Sequence, residues 1–259
     1  MRKVAVILPV YNEEKCIQRT LDSILEFSKS QPYYHFIFVN DGSTDRTEEI
    51  LIKTVESLNT SQIKLISYQE NKGKGAAIKT GLQYAEGDYI CYIDSDLAYS
   101  LEYLKVIVQK LEYFDIVIGC RVLDLNALNG LSLIRIIAGK MFNLLSRIIL
   151  DLPFHDMQAG IKGFKKDVAV YLFKQQDRKG FSFDVELIYI AHNKGYHIGE
   201  IPVIVSDDHL YKQSKVNLVK DSIGMFFSLL KIRFKYNTSR YPCHKSSHKK
   251  PKSRRISIE

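Results

Sequence analysis

The feature that most limits the fold of this 259-residue chain is a regular alternation in its first half: five short β-type apolar runs separated by four helical patterns. The runs fall at 3–8, 36–40, 63–68, 89–93 and 115–119, and the helical patterns at 13–29, 44–58, 74–86 and 100–112. Strands that alternate with helices predict an α/β fold, a mostly parallel sheet with helices on both faces. Such sheets bind ligands in the crevice at the carboxyl ends of their strands. The polar residues gather at those ends: Tyr11-Asn12-Glu13 after the first run, Asp41-Gly42-Ser43 after the second, Glu70-Asn71 after the third and Asp94-Ser95-Asp96 after the fourth.

The second half changes character. Residues 131–150 are apolar almost all round, broken by a narrow stripe of Arg135, Gly139, Asn143 and Arg147. Such a helix belongs in a core or in a membrane interface. Helices at 167–174 and 183–194 and a strand at 198–205 follow, then an amphipathic helix at 216–236 that mixes Met225, Phe226, Phe227, Leu229 and Phe234 with Lys220, Lys231, Arg233 and Lys235. The expected organisation is a catalytic domain over 1–215, a membrane-docking helix over 216–236 and a basic, disordered tail over 237–259. That tail holds seven Lys and Arg against Glu259 and so supplies +6 of the net +8. Positive charge is therefore a tail property, and no basic groove for nucleic acid is expected. The four cysteines, Cys16, Cys91, Cys120 and Cys243, lack metal or redox spacing and suit a reducing compartment. No signal peptide is predicted, and the uncharged apolar stretch 222–230 falls well below the roughly 20 residues that cross a bilayer. Membrane contact is expected to be peripheral, on the cytoplasmic face.

Asp94-Ser95-Asp96 is the sharpest motif. Two carboxylates one residue apart on a turn can share one hard cation, Mg²⁺ or Mn²⁺, which then bridges substrate phosphates. A departing nucleotide diphosphate accumulates negative charge that such a cation neutralises. Asp41 stands where a nucleobase N–H can be accepted, although Gly42-Ser43-Thr44 equally suits a turn and a helix cap. Asn71-Lys72-Gly73-Lys74-Gly75 precedes a helix whose free N–H groups, with two lysines, favour an anion such as diphosphate.

With these residues in place the chain resembles the family 2 inverting glycosyltransferases, and within them the dolichyl-phosphate β-glucosyltransferase and polyprenyl-phosphate sugar transferase group. The matching strings are Leu8-Pro9-Val10-Tyr11-Asn12-Glu13-Glu14, Asn40-Asp41-Gly42-Ser43-Thr44-Asp45, Asn71-Lys72-Gly73-Lys74-Gly75, Asp94-Ser95-Asp96, Gly119-Cys120-Arg121, Asp156-Met157-Gln158-Ala159-Gly160-Ile161-Lys162, Phe181-Ser182-Phe183-Asp184-Val185-Glu186-Leu187 and Gln213-Ser214-Lys215-Val216. The resemblance implies a GT-A fold and a nucleotide-sugar site drawn from Pro9, Tyr11, Asn12, Glu13, Asp41, Lys74, Asp94 and Gln158. It also implies a divalent cation on Asp94 and Asp96, and a polyprenyl phosphate acceptor met by Arg121 and Arg135. Ala98 stands where the related mannose synthases tend to carry Gln, and those enzymes lack the Asp156-to-Gly160 string, so a UDP-sugar is favoured over GDP-mannose. Ala159 replaces the Cys usual in the glucosyl group.

A phosphate monoester, with its second pKa of about 6, is already largely ionised near neutrality and needs little help from a base. Arg121 and Arg135 are the candidate cations for it, and Asp156 would orient the sugar or the acceptor. Two further readings stay open: a soluble glycosyltransferase acting on a hydroxyl with Asp156 as its base, and a catalytically silent nucleotide-sugar or membrane-binding scaffold. The apolar helices leave an oligomer interface possible as well.

Overall fold

A computed structural model describes residues 2–58, 60–121, 133–177, 182–206 and 218–237. Among them the chain runs β1 Val4–Val10, α1 Ile17–Ser30, β2 Tyr34–Asp41, α2 Thr47–Ser57, β3 Ile63–Tyr68, α3 Lys74–Gln83, β4 Tyr89–Ile93, α4 Glu102–Lys110, β5 Ile116–Cys120, α5 Leu133–Leu150, β6 Ile161–Lys165, α6 Lys166–Gln175, α7 Phe183–Asn193, β7 Ile198–Pro202 and α8 Leu218–Asn237. The expected string Gln213 to Val216, the boundary at 215 and the tail from 238 onward lie outside the described residues.

One seven-stranded sheet in the order β3-β2-β1-β4-β6-β5-β7 carries the architecture. β1 pairs in parallel with β2 and β4, β2 with β3, and β5 with β7, whereas β6 runs antiparallel to both β4 and β5. The expected α/β fold with a mostly parallel sheet is the fold found. β1, β4 and β5 read as unbroken apolar runs because both of their faces are buried. Along β1, Val4, Val6, Leu8 and Val10 point into a core completed by Ile17 and Leu21 of α1, Leu51 of α2 and Leu104 of α4. Ala5 and Ile7 point the other way, toward Ala77 and Ile78 of α3, Phe173 of α6, Leu187 of α7, Phe142 of α5 and Leu229 of α8. Period-two alternation thus sorts one strand between two cores.

β6 is the element that the sequence pattern did not reveal. Ile161-Lys162-Gly163-Phe164-Lys165 carries two lysines and a glycine, yet it lies inside the sheet between β4 and β5. Gly163 allows this, because a Cβ there would stand 2.2 Å from the Ile107 side chain of α4. Lys162 is fully buried, its ammonium paired 2.7 Å from Asp184. The two long helices of the second half, α5 and α8, pack on each other, and the Arg233 guanidinium donates 2.6 Å to the Ile149 carbonyl across that contact. Among the described residues no helix is long and apolar enough to cross a membrane.

Candidate active site

Register brings the polar strand ends together. Val10 of β1 lies opposite Asn40 of β2, and Asn40 and Asp41 lie opposite Ser67 and Tyr68 of β3, so the loops after three adjacent strands leave the sheet side by side. Asn12, in the left-handed region at φ 54°, locks the first loop to the second. Its backbone N–H donates 3.0 Å to Ser43 Oγ, and its side-chain oxygen accepts the Thr44 N–H at 2.8 Å. Glu13 N–H donates 2.8 Å to Thr47 Oγ1. Pro9 and Glu13 are part-exposed on this rim, and Tyr11 is exposed.

Asp41 is tied to the segment that follows β3. It is buried, and it accepts hydrogen bonds from the Tyr68 hydroxyl at 2.7 Å, Lys72 N–H at 2.7 Å, Gly73 N–H at 2.8 Å and Asn71 Nδ2 at 3.2 Å. A carboxylate offers about four lone-pair sites, and four donors fill them. Asp41 therefore shapes the Asn71–Gly73 turn from beneath. Gly42, at φ +66°, is the matching requirement, since a Cβ there would meet the Asn71 nitrogen at 2.7 Å. The turn delivers Lys74 at the start of α3, where its ammonium pairs with Asp94 Oδ1 at 2.5 Å.

Asp94 leaves the end of β4 beside the start of β6. Its N–H donates 3.0 Å to the Gly160 carbonyl, and its carboxylate lies where a Cβ on Gly160 would be, 1.8 Å from Oδ2. Partial burial pushes the Asp94 carboxyl above its ordinary range; Lys74 opposes the rise, and Asp96 and Asp184 add to it. Asp96 Oδ1 accepts the Ala98 N–H at 3.2 Å and so holds the turn. Among the described residues no three Asp, Glu, His or Cys side chains form a cage. The donor set that is present, two hard carboxylates crowded at a strand end, fits Mg²⁺ or Mn²⁺ of the kind that completes its shell with substrate phosphates and water.

A second polar cluster brings together Arg121, Asp156, Asn143 and Gln158. Asp156 is fully buried. Arg121 grips it through Nε at 2.6 Å, Nη2 at 3.0 Å and its backbone N–H at 3.2 Å, while Gln158 N–H and Asn143 Nδ2 reach it at 3.0 and 3.4 Å. Burial alone would raise its pKa, but the Arg121 charge and these hydrogen bonds overcome burial and hold it down at about 2. Asp156 thus pairs with Arg121 and accepts five hydrogen bonds within the protein. Tyr99, buried between Arg121, Asp156, Asp94 and Lys74, joins the two halves of the site, its hydroxyl pushed up to about 12 chiefly by burial. Arg135 lies in α5, and its side chain is outside the described residues.

A model of glycosyl transferase family 2 matches residues 5–173, a span that takes in every strand end of the site. The chain belongs to glycosyl transferase family 2. This family 2 glycosyltransferase is 28% identical over 246 residues to the dolichyl-phosphate β-glucosyltransferase of Dictyostelium discoideum, covering 90% of this chain and 74% of that one. The Saccharomyces cerevisiae protein of the same name is also 28% identical over 252 residues, with 90% and 75% covered. Among solved structures, glucosyl-3-phosphoglycerate synthase of Mycobacterium tuberculosis, in complex with Mn²⁺, UDP and glucosyl-3-phosphoglycerate, superposes with a TM-score of 0.64 at 20% identity, over 90% of this chain and 79% of that chain. That likeness places the family 2 chain in the GT-A fold.

Residues that sequence reasoning left without a task include Tyr99, Lys162 and Asp184. The available signal was chemical: Asp184 and Glu186 interrupt an otherwise apolar helix, and charges in such a setting require partners.

Proposed function

We propose that this glycosyltransferase moves a hexose, with UDP-glucose the favoured donor, onto a polyprenyl or dolichyl phosphate at a membrane surface, with inversion at the anomeric carbon. The observation that carries the reading is the Arg121–Asp156 pair. A hydroxyl acceptor needs a base, and Asp156, held at about 2 and saturated with donors, is a poor one. A phosphate acceptor arrives ionised and needs cations instead. Arg121 is 27% exposed at its side chain and retains guanidinium N–H groups beyond those given to Asp156, so it can receive a phosphate while Asp156 fixes its orientation.

On the donor side, the rim of Pro9, Tyr11, Asn12 and Glu13 and the turn shaped by Asp41 form the nucleoside cradle, and Lys74 at the α3 N-terminus supplies positive charge for the diphosphate. Gln158, tied to Asp156 through its backbone N–H, is the candidate contact to the sugar. A Mg²⁺ or Mn²⁺ held by Asp94 and Asp96 would supply the charge that stabilises the leaving diphosphate. The acceptor phosphate oxygen forms the new bond to the anomeric carbon as the bond to the diphosphate oxygen breaks, and the enzyme's contribution is to bring two anions into line. The relatives named for dolichyl phosphate support this acceptor.

The surface supports a lipid-bound acceptor as well. Met141, Leu144 and Ile148 form an exposed stripe on α5, and Phe227 and Phe234 an exposed pair two turns apart on α8. Arg147, Lys231 and Arg233 stand exposed on the same two helices. Apolar side chains flanked by cations suit an in-plane contact with an anionic bilayer. The test is incubation with labelled UDP-glucose, UDP-galactose, UDP-N-acetylglucosamine and GDP-mannose, Mn²⁺ and polyprenyl phosphate, followed by NMR of the product. The expected product is a β-linked lipid-phospho-glucose; an α-linked product rejects inversion, and preferential transfer from GDP-mannose rejects the donor assignment.

A further inference from the structure

Behind the Asp94–Asp96 turn, on the opposite side from solvent, lies a second pair of opposite charges that the mechanism above does not use. Lys162, the second residue of β6, is fully buried and faces the sheet side lined by Phe164, Tyr92 and Ile118. Its ammonium donates 2.7 Å to Asp184 Oδ1 of α7 and 2.7 Å to the Ala159 carbonyl, and the Tyr92 hydroxyl donates to the same Asp184 oxygen. Tyr92 and Ile118 are its cross-strand neighbours. An apolar side chain would fit these neighbours, and a buried ion pair is weak support for stability, because desolvation offsets much of the attraction. The position of the ammonium points to another use.

We propose that Lys162 is a positioning residue for the metal-binding carboxylate Asp94, acting through the Ala159–Gly160 peptide. The register of β4 and β6 ends at Ile93 opposite Ile161. One step beyond that pairing, the Gly160 carbonyl receives the Asp94 N–H at 3.0 Å, and the Asp94 carboxylate rests against the Gly160 Cα, in the space a Cβ would take. The location of that carboxylate depends on where residue 160 sits. The Gly160 carbonyl is the last group of this strand tied to the β4 side through the backbone, and the peptide before it, Ala159–Gly160, is held by the Lys162 ammonium at the Ala159 carbonyl. Asp184 and Tyr92 fix the ammonium in turn. The chain of contacts runs from α7 through Lys162 to the Ala159–Gly160 backbone and on to Asp94, the arrangement by which residues beyond the ligands tune a metal site.

The inference rests on the donor reading given above, and the experiment separates the two. Calorimetric titration with UDP, with and without Mn²⁺, is made on the parent protein, on Lys162→Met and on the double variant Lys162→Met/Asp184→Asn. The double variant removes both charges and keeps an acceptor for Tyr92, so it is the safer folding partner. The expected result is a loss of about tenfold or more in the Mn²⁺-dependent part of UDP binding, with metal-free UDP binding, which relies on the Tyr11–Glu13 rim and the Asn71–Gly73 turn, changed by less than about twofold. A purely structural Lys162 would lower both affinities together or neither, and either result overturns the assignment. Failure of both variants to fold would make the pair a core element and also overturn it. If the parent protein binds no UDP, the donor reading falls and the inference with it; if only the variants match the parent, the donor reading stands and the inference alone fails.

Discussion

Gly160→Ala isolates the geometry on which the donor site depends. The new Cβ would stand 1.8 Å from Asp94 Oδ2, whereas real Cβ contacts essentially never fall below 3.0 Å. The carboxylate must withdraw by about 1 Å or more, and misplacement of that order costs about 100-fold in rate. Metal ligation tolerates only about ±0.2 Å, so the first property to fall should be affinity for Mn²⁺ in the presence of UDP. Stability should suffer little, because the Asp94 side chain is 33% exposed and has room to turn outward. Gly163→Ala is the matched control: its Cβ would meet the Ile107 side chain at 2.2 Å inside the core, with Cys91 and Leu111 as its other nearest neighbours. Overpacking of that kind costs about 1–3 kcal/mol of stability and should leave metal affinity intact. The assay pairs Mn²⁺-dependent UDP calorimetry with urea unfolding for both variants. Unchanged Mn²⁺ affinity and turnover in folded Gly160→Ala would refute the reasoning.

Three further outcomes follow from the same contacts. Asp156 is held at about 2 against an ordinary value near 4, so it contributes roughly 2–3 kcal/mol of stability; because the folded pKa is the lower one, that stability is full above about pH 5 and is lost as pH falls toward 2. Arg121→Met should destabilise the protein by about 3 kcal/mol at pH 7, and the gap in urea midpoint between parent and variant should narrow as pH falls from 5 toward 3, while a constant gap would deny the pair. Asp41→Ala leaves the Lys72 and Gly73 N–H groups without their acceptor, so it should weaken UDP binding with and without Mn²⁺ alike and cost about 2–4 kcal/mol in unfolding. Ile148→Glu/Phe234→Glu, at two exposed positions, should reduce flotation with anionic liposomes without lowering the melting temperature; undiminished flotation would remove the docking face.

What was legible in the sequence was whatever a single strand or helix declares by itself. β1, β2 and β4 announce themselves because both their faces are buried, and Asp94 and Asp96 stand out as the polar break that follows an apolar run. Pairings across the chain were invisible. Arg121 and Asp156 were both singled out, yet nothing local says that they meet 35 residues apart and neutralise each other. Asp41 was legible as a carboxylate at a strand end, but its donors come from residues 68–73, which reach it only once β3 is docked on β2. β6 was hidden for the same reason, since the partner that makes Lys162 tolerable in a core sits 22 residues downstream in α7. Local periodicity specifies elements, whereas a site depends on which charges the topology brings into contact.

The most direct test of the central claim is transfer of label from UDP-[¹⁴C]glucose into organic-extractable product, measured with polyprenyl phosphate, with the unphosphorylated polyprenol and with Mn²⁺ withheld. Transfer is expected to the polyprenyl phosphate alone, dependent on Mn²⁺ or Mg²⁺ and reduced by about 100-fold or more in Asp96→Asn. Equal transfer to the polyprenol, or undiminished transfer in Asp96→Asn without metal, would contradict the claim.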